Sequence, residues 1–196
     1  IQVLPPDINR SEIDFTIEDL ATEAQTKDSR IQSATAAIRF GLGAIKNVGE
    51  SPLQLILEAR AEGGPFAGVA AFCRRVDLRA VNRRALECLI KAGVLDSLAE
   101  RPTLLAIIDR MLGLSQLHFQ ARTVGQLALD FLHADPTDDS NLLSDQLFAP
   151  PVSQKDMLAW EKELLGVYVS EHPLQRLMQH ASDEHTPLDQ IDESLK

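Results

Sequence analysis

The apolar positions of the chain fall into a short alternating region followed by a series of helical stripes. Near the N-terminus Phe15 and Ile17 alternate with polar neighbours, as do Ile31, Ile38 and Phe40, which predicts a short two-stranded element. Pro5 and Pro6 hold the stretch before it extended, and residues 9–11 read as a turn. From Phe40 the period changes. In residues 40–60, FGLGAIKNVGESPLQLILEAR, Leu42 and Ile45 predict a first helical segment, and Val48 with Gly49 a tight hydrophobic-glycine turn. Leu53, Ile56 and Leu57 mark one face of a second helix. Gly49 suits a turn needing positive φ or a close approach of backbone, Ser51 an N-cap and Pro52 the first helical position. This is the layout of a helix-hairpin-helix, although a helical corner closed by glycine fits the same residues.

Further stripes follow. Gly63-Gly64-Pro65 ends the second helix, and the next places Phe66, Val69, Ala70 and Phe72 inward. Residues 76–81 read as a second turn, Asn82 as an N-cap, and Leu86, Leu89 and Ile90 as the buried stripe of a helix stopped by Gly93. Together they form a second, degenerate hairpin unit. Pro102 opens a helical run over 102–124 whose Leu104, Leu105, Ile107, Ile108, Met111 and Leu112 belong to a core. Residues 133–154, rich in Asp, Ser, Pro and Asn, read as a linker. Residues 157–165, MLAWEKELL, predict an amphipathic helix with Trp160 and Leu164 on one side, ended by Gly166. Val167, Tyr168 and Val169 then look like a short strand, and His172-Pro173 a turn. The expected fold is mainly α: tandem helix-hairpin-helix elements, a short β element near the N-terminus and a short strand near 167–169. The expected units are 1–38, 39–134, an acidic linker at 135–154, and a helical segment at 155–196.

Charge changes the picture through its distribution. The 196 residues carry a net charge of −10, which alone argues against a nucleic-acid partner. Yet residues 39–101 hold 10 basic and 7 acidic groups, whereas residues 135–196 hold 4 and 13. Arg74, Arg75, Arg79, Arg83, Arg84 and Lys91 cluster around the second hairpin, either to contact phosphates or as a solvated face balanced by Asp77 and Glu87. The start of the helix after the first hairpin offers unpaired N–H groups and a positive dipole end, both suited to a phosphate. The candidate DNA contacts are therefore Lys46, Asn47, Val48, Gly49, Glu50 and Ser51 in the first unit and Arg79, Asn82, Arg83 and Lys91 in the second. No aromatic residues interleave these arginines, so contact to the backbone without sequence reading is expected.

Other chemistry is sparse. Cys73 and Cys88 lie 15 apart with no metal-ligand spacing, and His118, His133, His172, His180 and His185 are scattered. Zinc, a disulfide framework and a catalytic constellation are not indicated. No stretch reaches the ~20 apolar residues of a membrane span. A first residue of Ile1 rather than Met is expected of a piece cut from a longer chain. In residues 124–132, VGQLALDFL, Gln126, Leu127, Leu129 and Phe131 form either a peptide that docks as an extended strand or the end of the preceding helix.

Five motifs, FGLGAIKNVGE, EARAEGGPF, FCRRVD, NRRALECLIKAGVLDSL and EKELLGVYVSEHPL, occur in the order and spacing of one family. The chain resembles the alpha subunit of bacterial DNA polymerase III, the family C replicative polymerases, from about Ile1 to Leu174. VLPPDIN resembles the end of that family's fingers region. The resemblance implies a clamp-binding domain whose tandem hairpins hold double-stranded DNA, and places the internal sliding-clamp peptide at Gln126, Leu127, Leu129 and Phe131. DQLF at 145–148 is a weaker second match. It implies a parent DNA-directed DNA polymerase of the bacterial cytoplasm, dependent on Mg2+ and joined to other holoenzyme subunits. The family's catalytic aspartates lie upstream of the matched region, so the chain itself is expected to be inactive, without a cofactor of its own. Two other readings stand beside this one: a hairpin module of a repair nuclease or ligase, and a structural helical spacer.

Overall fold

The computed structural model describes residues 2–20, 35–124 and 152–170. Three short strands, β1 (Gln2–Leu4), β2 (Thr16–Leu20) and β3 (Thr35–Arg39), form a sheet in the order β1-β3-β2. β2 runs antiparallel to β3 with Ile17 opposite Ile38, and β1 runs parallel to β3 with Val3 opposite Ile38. The alternation in the sequence predicts only two of these strands. β1 is three residues long and ends at the prolines, too short for a period of two to be read.

Where the sequence predicts a first helical segment, the chain forms only a single 3₁₀ turn (Leu42–Ala44), which leads into the hairpin loop and α1 (Glu50–Gly63). Then follow α2 (Val69–Arg75), the one-turn α3 (Leu78–Val81), α4 (Arg83–Lys91), α5 (Arg101–Ala106), α6 (Ile108–Val124) and α7 (Gln154–Leu164). The chain is thus mainly α with short strands. Ile8, Phe40, Leu42, Leu53, Phe72, Leu86, Leu89, Leu104, Met111 and Leu164 share one core. β3 runs across the expected division at 38/39, and the core is continuous over it.

Several local expectations are corrected. No strand forms at 167–169: Gly166 turns the chain at φ 77°, and the N–H groups of Val169 and Ser170 go to the Glu161 carboxylate instead of a neighbouring strand. The run over 102–124 is two helices, broken at Ile107. The turn at 76–81 contains α3. Gly93 lies one residue beyond the C-cap Ala92, at φ 83°, where its N–H reaches the carbonyl of Ile90.

Residues 7–13 form the back of the first hairpin. Leu42 and Gly43 donate their N–H groups to the carbonyls of Glu12 and Ile13, both at 2.9 Å. Gly41 lies so close that a Cβ there would sit 2.6 Å from backbone atoms of Ile13 and Asp14. Asn9 pairs with the backbone of Phe66 through both amide atoms, at 2.7 and 3.0 Å. Arg60 of α1 donates to the carbonyls of Ile8 and Ser11.

Candidate nucleic-acid interface

The hairpin loop is turned by an asparagine rather than a glycine. Asn47 has φ 65°, whereas Gly49 has φ −74° and ψ 163°, an extended conformation open to any residue. Gly49 is the N-cap, so α1 starts at Glu50; Ser51 and Pro52 occupy its second and third positions, not the cap and the first. The need for positive φ thus moves to Asn47, a residue type that tolerates it. Nor does space within the chain require glycine at 49: a Cβ there would meet only the Pro52 ring, at 3.6 Å, an ordinary contact.

Lys46, Asn47, Gly49, Glu50 and Ser51 are exposed, while Val48 is half-buried against the core. Lys46 donates its main-chain N–H to the carbonyl of Leu164 at 3.0 Å, which fixes the loop against the end of α7. The following N–H groups, of residues 47–51, find no acceptor among the described residues. They gather at the positive end of a 14-residue helix without a side-chain cap, an arrangement that suits an anion's oxygen atoms. Glu50, in the first turn, accepts a hydrogen bond from Gln54 at 3.3 Å.

The second unit closes part of its own set of donors. Asn82, at φ 64°, accepts the N–H of Ala85 through its side chain at 3.0 Å, and Asp77 caps α3 by accepting from Arg79 at 3.1 Å. Ser115 of α6 reaches the same corner, donating to the carbonyl of Val76 and accepting from the N–H of Leu78. Arg79 forms a two-point ion pair with Asp77, and its hydrogen bonds hold that carboxyl below its ordinary value. Arg83 pairs with Glu87 and Asp109. Lys91 lies 5.6 Å from the centroid of the Trp160 ring.

Of the other basic groups in residues 39–101, several build the fold. Arg75 donates to the carbonyls of Ala59 and Gly64, closing the end of α1, and stacks on Phe66. Arg39 grips Glu18, and Arg101 grips Asp96 and Glu161. Arg84, part of the arginine cluster seen in the sequence though not among the named contacts, is exposed and has no ion pair among the described residues. Lys46 and Arg84 are thus the basic side chains best placed to meet a ligand near the two turns.

Glu161 also escaped the sequence reading. It is 1% exposed and accepts from the N–H groups of Val169 and Ser170 and from the Ser170 hydroxyl. Burial pushes its carboxyl up, but these hydrogen bonds and the Arg101 charge outweigh burial and hold it below its ordinary value. Its signal in the sequence was position: Glu161 stands three and four residues before Leu164 and Leu165, on the apolar face of α7. Gln126, Leu127, Leu129, Phe131, the DQLF segment and His172-Pro173 lie outside the described residues.

A family model described as "Helix-hairpin-helix motif" matches residues 1–104. The chain belongs to the helix-hairpin-helix family. This helix-hairpin-helix chain is 39% identical, over 90% of its length, to the DNA polymerase III subunit alpha of Thermus aquaticus. It is 37% identical over 89% to that of Vibrio cholerae, and 36% identical over 90% to that of Deinococcus radiodurans. It spans only 12–14% of the length of these relatives. No helix among the described residues is long and apolar enough to cross a membrane.

Proposed function

We propose that the chain is the duplex-binding and clamp-binding part of a replicative DNA polymerase of the polymerase III alpha type. The observation that carries this reading is the first hairpin: consecutive main-chain donors at residues 47–51, without acceptors among the described residues, at the capless start of α1. Phosphate oxygens take such donors without regard to base identity, so the hairpin holds duplex DNA in any sequence. The exposed Lys46 adds a charge beside them. Gln126, Leu127, Leu129 and Phe131 supply the peptide that docks on a sliding clamp. Holding both clamp and duplex keeps the parent polymerase at the primer end by raising effective concentration.

Among the described residues no group of three or more His, Cys, Asp or Glu is placed to hold a metal ion. In this reading the Mg2+ of polymerisation and the catalytic carboxylates belong to the rest of the parent. Other holoenzyme subunits and the bacterial cytoplasm complete the proposed setting.

Two binding experiments test the reading. The chain should bind purified sliding clamp with micromolar affinity, and changing Gln126 and Phe131 to Ala should abolish it; a variant that binds as the parent does refutes the clamp peptide. Gly49→Val should weaken binding of a random-sequence duplex about tenfold while the fold stays intact, a loss of about 1.4 kcal/mol. An unchanged affinity in that folded variant would sink the hairpin as the DNA contact.

A further inference from the structure

The hairpin loop has a neighbour from the far end of the chain. Because the Lys46 N–H donates to the Leu164 carbonyl, the end of α7 abuts the loop. Beyond it Leu165 is buried, and Gly166 turns the chain at φ 77°. Residues 165–170 are fixed from beneath. One oxygen of the buried Glu161 accepts from the Val169 N–H at 3.0 Å and from the Ser170 N–H and hydroxyl at 3.1 Å. Arg101 donates to the other oxygen at 3.3 Å.

On the outside of this turn stand a cation and an aromatic ring. The exposed Lys162 donates from Nζ to the Gly166 carbonyl at 3.1 Å and lies 5.5 Å from the Tyr168 ring centroid. Val167 and Tyr168 are 47% and 37% exposed. Gly166 follows Leu164 by two residues, which sets its Cα at most about 7 Å from that of Leu164. Phosphates of one DNA strand advance ~3.4 Å along the helix axis and lie further apart in space because the strand winds, so a separation of this size is about one phosphate step along one strand. An engaged lysine ordinarily loses side-chain freedom on binding; here a carbonyl and a ring already restrict it.

We propose, resting on the duplex-binding reading above, that the turn at 165–170 with Lys162 is the second half of the DNA surface. Lys162 neutralises a phosphate adjacent to those held by the hairpin N–H groups, and Tyr168 packs against the sugar-phosphate backbone. The ligand is the same duplex, held from two elements that meet only in the folded chain.

The test is fluorescence anisotropy of a labelled random-sequence duplex with the whole chain, titrated over a series of salt concentrations. Lys162→Gln should weaken binding three- to tenfold and reduce the slope of log K against log salt by about 0.9, the share of one phosphate contact. Tyr168→Ser should lower affinity severalfold with the slope unchanged. Circular-dichroism melts of both variants should match the parent, because both side chains lie outside the core. If both variants bind with parental affinity and slope while Gly49→Val is impaired, the turn is not part of the surface and the hairpin stands alone. If the unaltered chain fails to bind duplex even at low salt, both the duplex reading and this extension of it fall.

Discussion

In the first hairpin an asparagine at φ 65° turns the chain two residues ahead of a helix capped by glycine; in the second an asparagine at φ 64° is itself the cap. The first leaves its helix-start donors without an internal acceptor, whereas the second fills two of its own, those of Ala85 and Arg79, with the side chains of Asn82 and Asp77. The surrounding charges differ in the same way. Arg79 and Arg83 beside the second turn are matched by Asp77, Glu87 and Asp109, while Lys46 beside the first, like Arg84 beside the second, has no ion pair among the described residues. A density of arginines is therefore a poor guide to where an anion binds. What counts is whether donors and cations have already been matched from within.

The comparison breaks most sharply at the rear of the first hairpin. Gly41→Val should destabilise the chain by about 3 kcal/mol in urea unfolding, because its side chain meets backbone that has nowhere to move. The same change at Gly49 should leave the unfolding midpoint within about 0.5 kcal/mol, as at an open surface site. Equal losses at the two glycines would mean that the loop front is as closed as its back.

A smaller effect separates the two asparagines. Asn82→Ala should cost about 2 kcal/mol, combining a lost cap with a positive φ now carried by alanine. Asn82→Gly should be close to neutral, since relief of φ offsets the lost cap. Asn47→Gly gives up no side-chain cap and should hold or slightly raise the melting temperature. A large loss for Asn47→Gly would reveal a capping role in the first hairpin and erase the contrast.

The smallest effect is a pH dependence on the brace beneath the first hairpin. Glu161 is held below its ordinary value of 4.5 in the folded chain, so its contribution is fully present above that pH. It is lost as pH falls through the lower folded value. Melting temperature should decline below about pH 4.5, with a shallower decline in Glu161→Gln; identical curves would show that Glu161 does not titrate on folding.

Much of the architecture was legible because it rests on local periodicity. The stripe of Leu86, Leu89 and Ile90 and the breaker Gly63-Gly64-Pro65 placed α4 and the end of α1 correctly. Hydrophobic spacing placed most of the helices and the hairpin before α1, since a 3.6-residue period is written into the chain itself, but it missed α3 and the break at Ile107. It did not fix which residue turns the hairpin, because asparagine and glycine both tolerate positive φ and Gly49 is the more permissive.

Tertiary contact decided the rest. Arg75 became the closure of α1, Arg101 the clamp on Asp96 and Glu161, and Leu164 the acceptor that positions the hairpin loop. All but the Arg101–Asp96 pair join residues distant along the chain, and a side chain's charge does not say which carbonyl or carboxylate will come within its reach. The sequence by itself determined most of the helices, the hairpin before α1 and the family; only the fold decided which donors and cations were matched internally and which were left to a ligand.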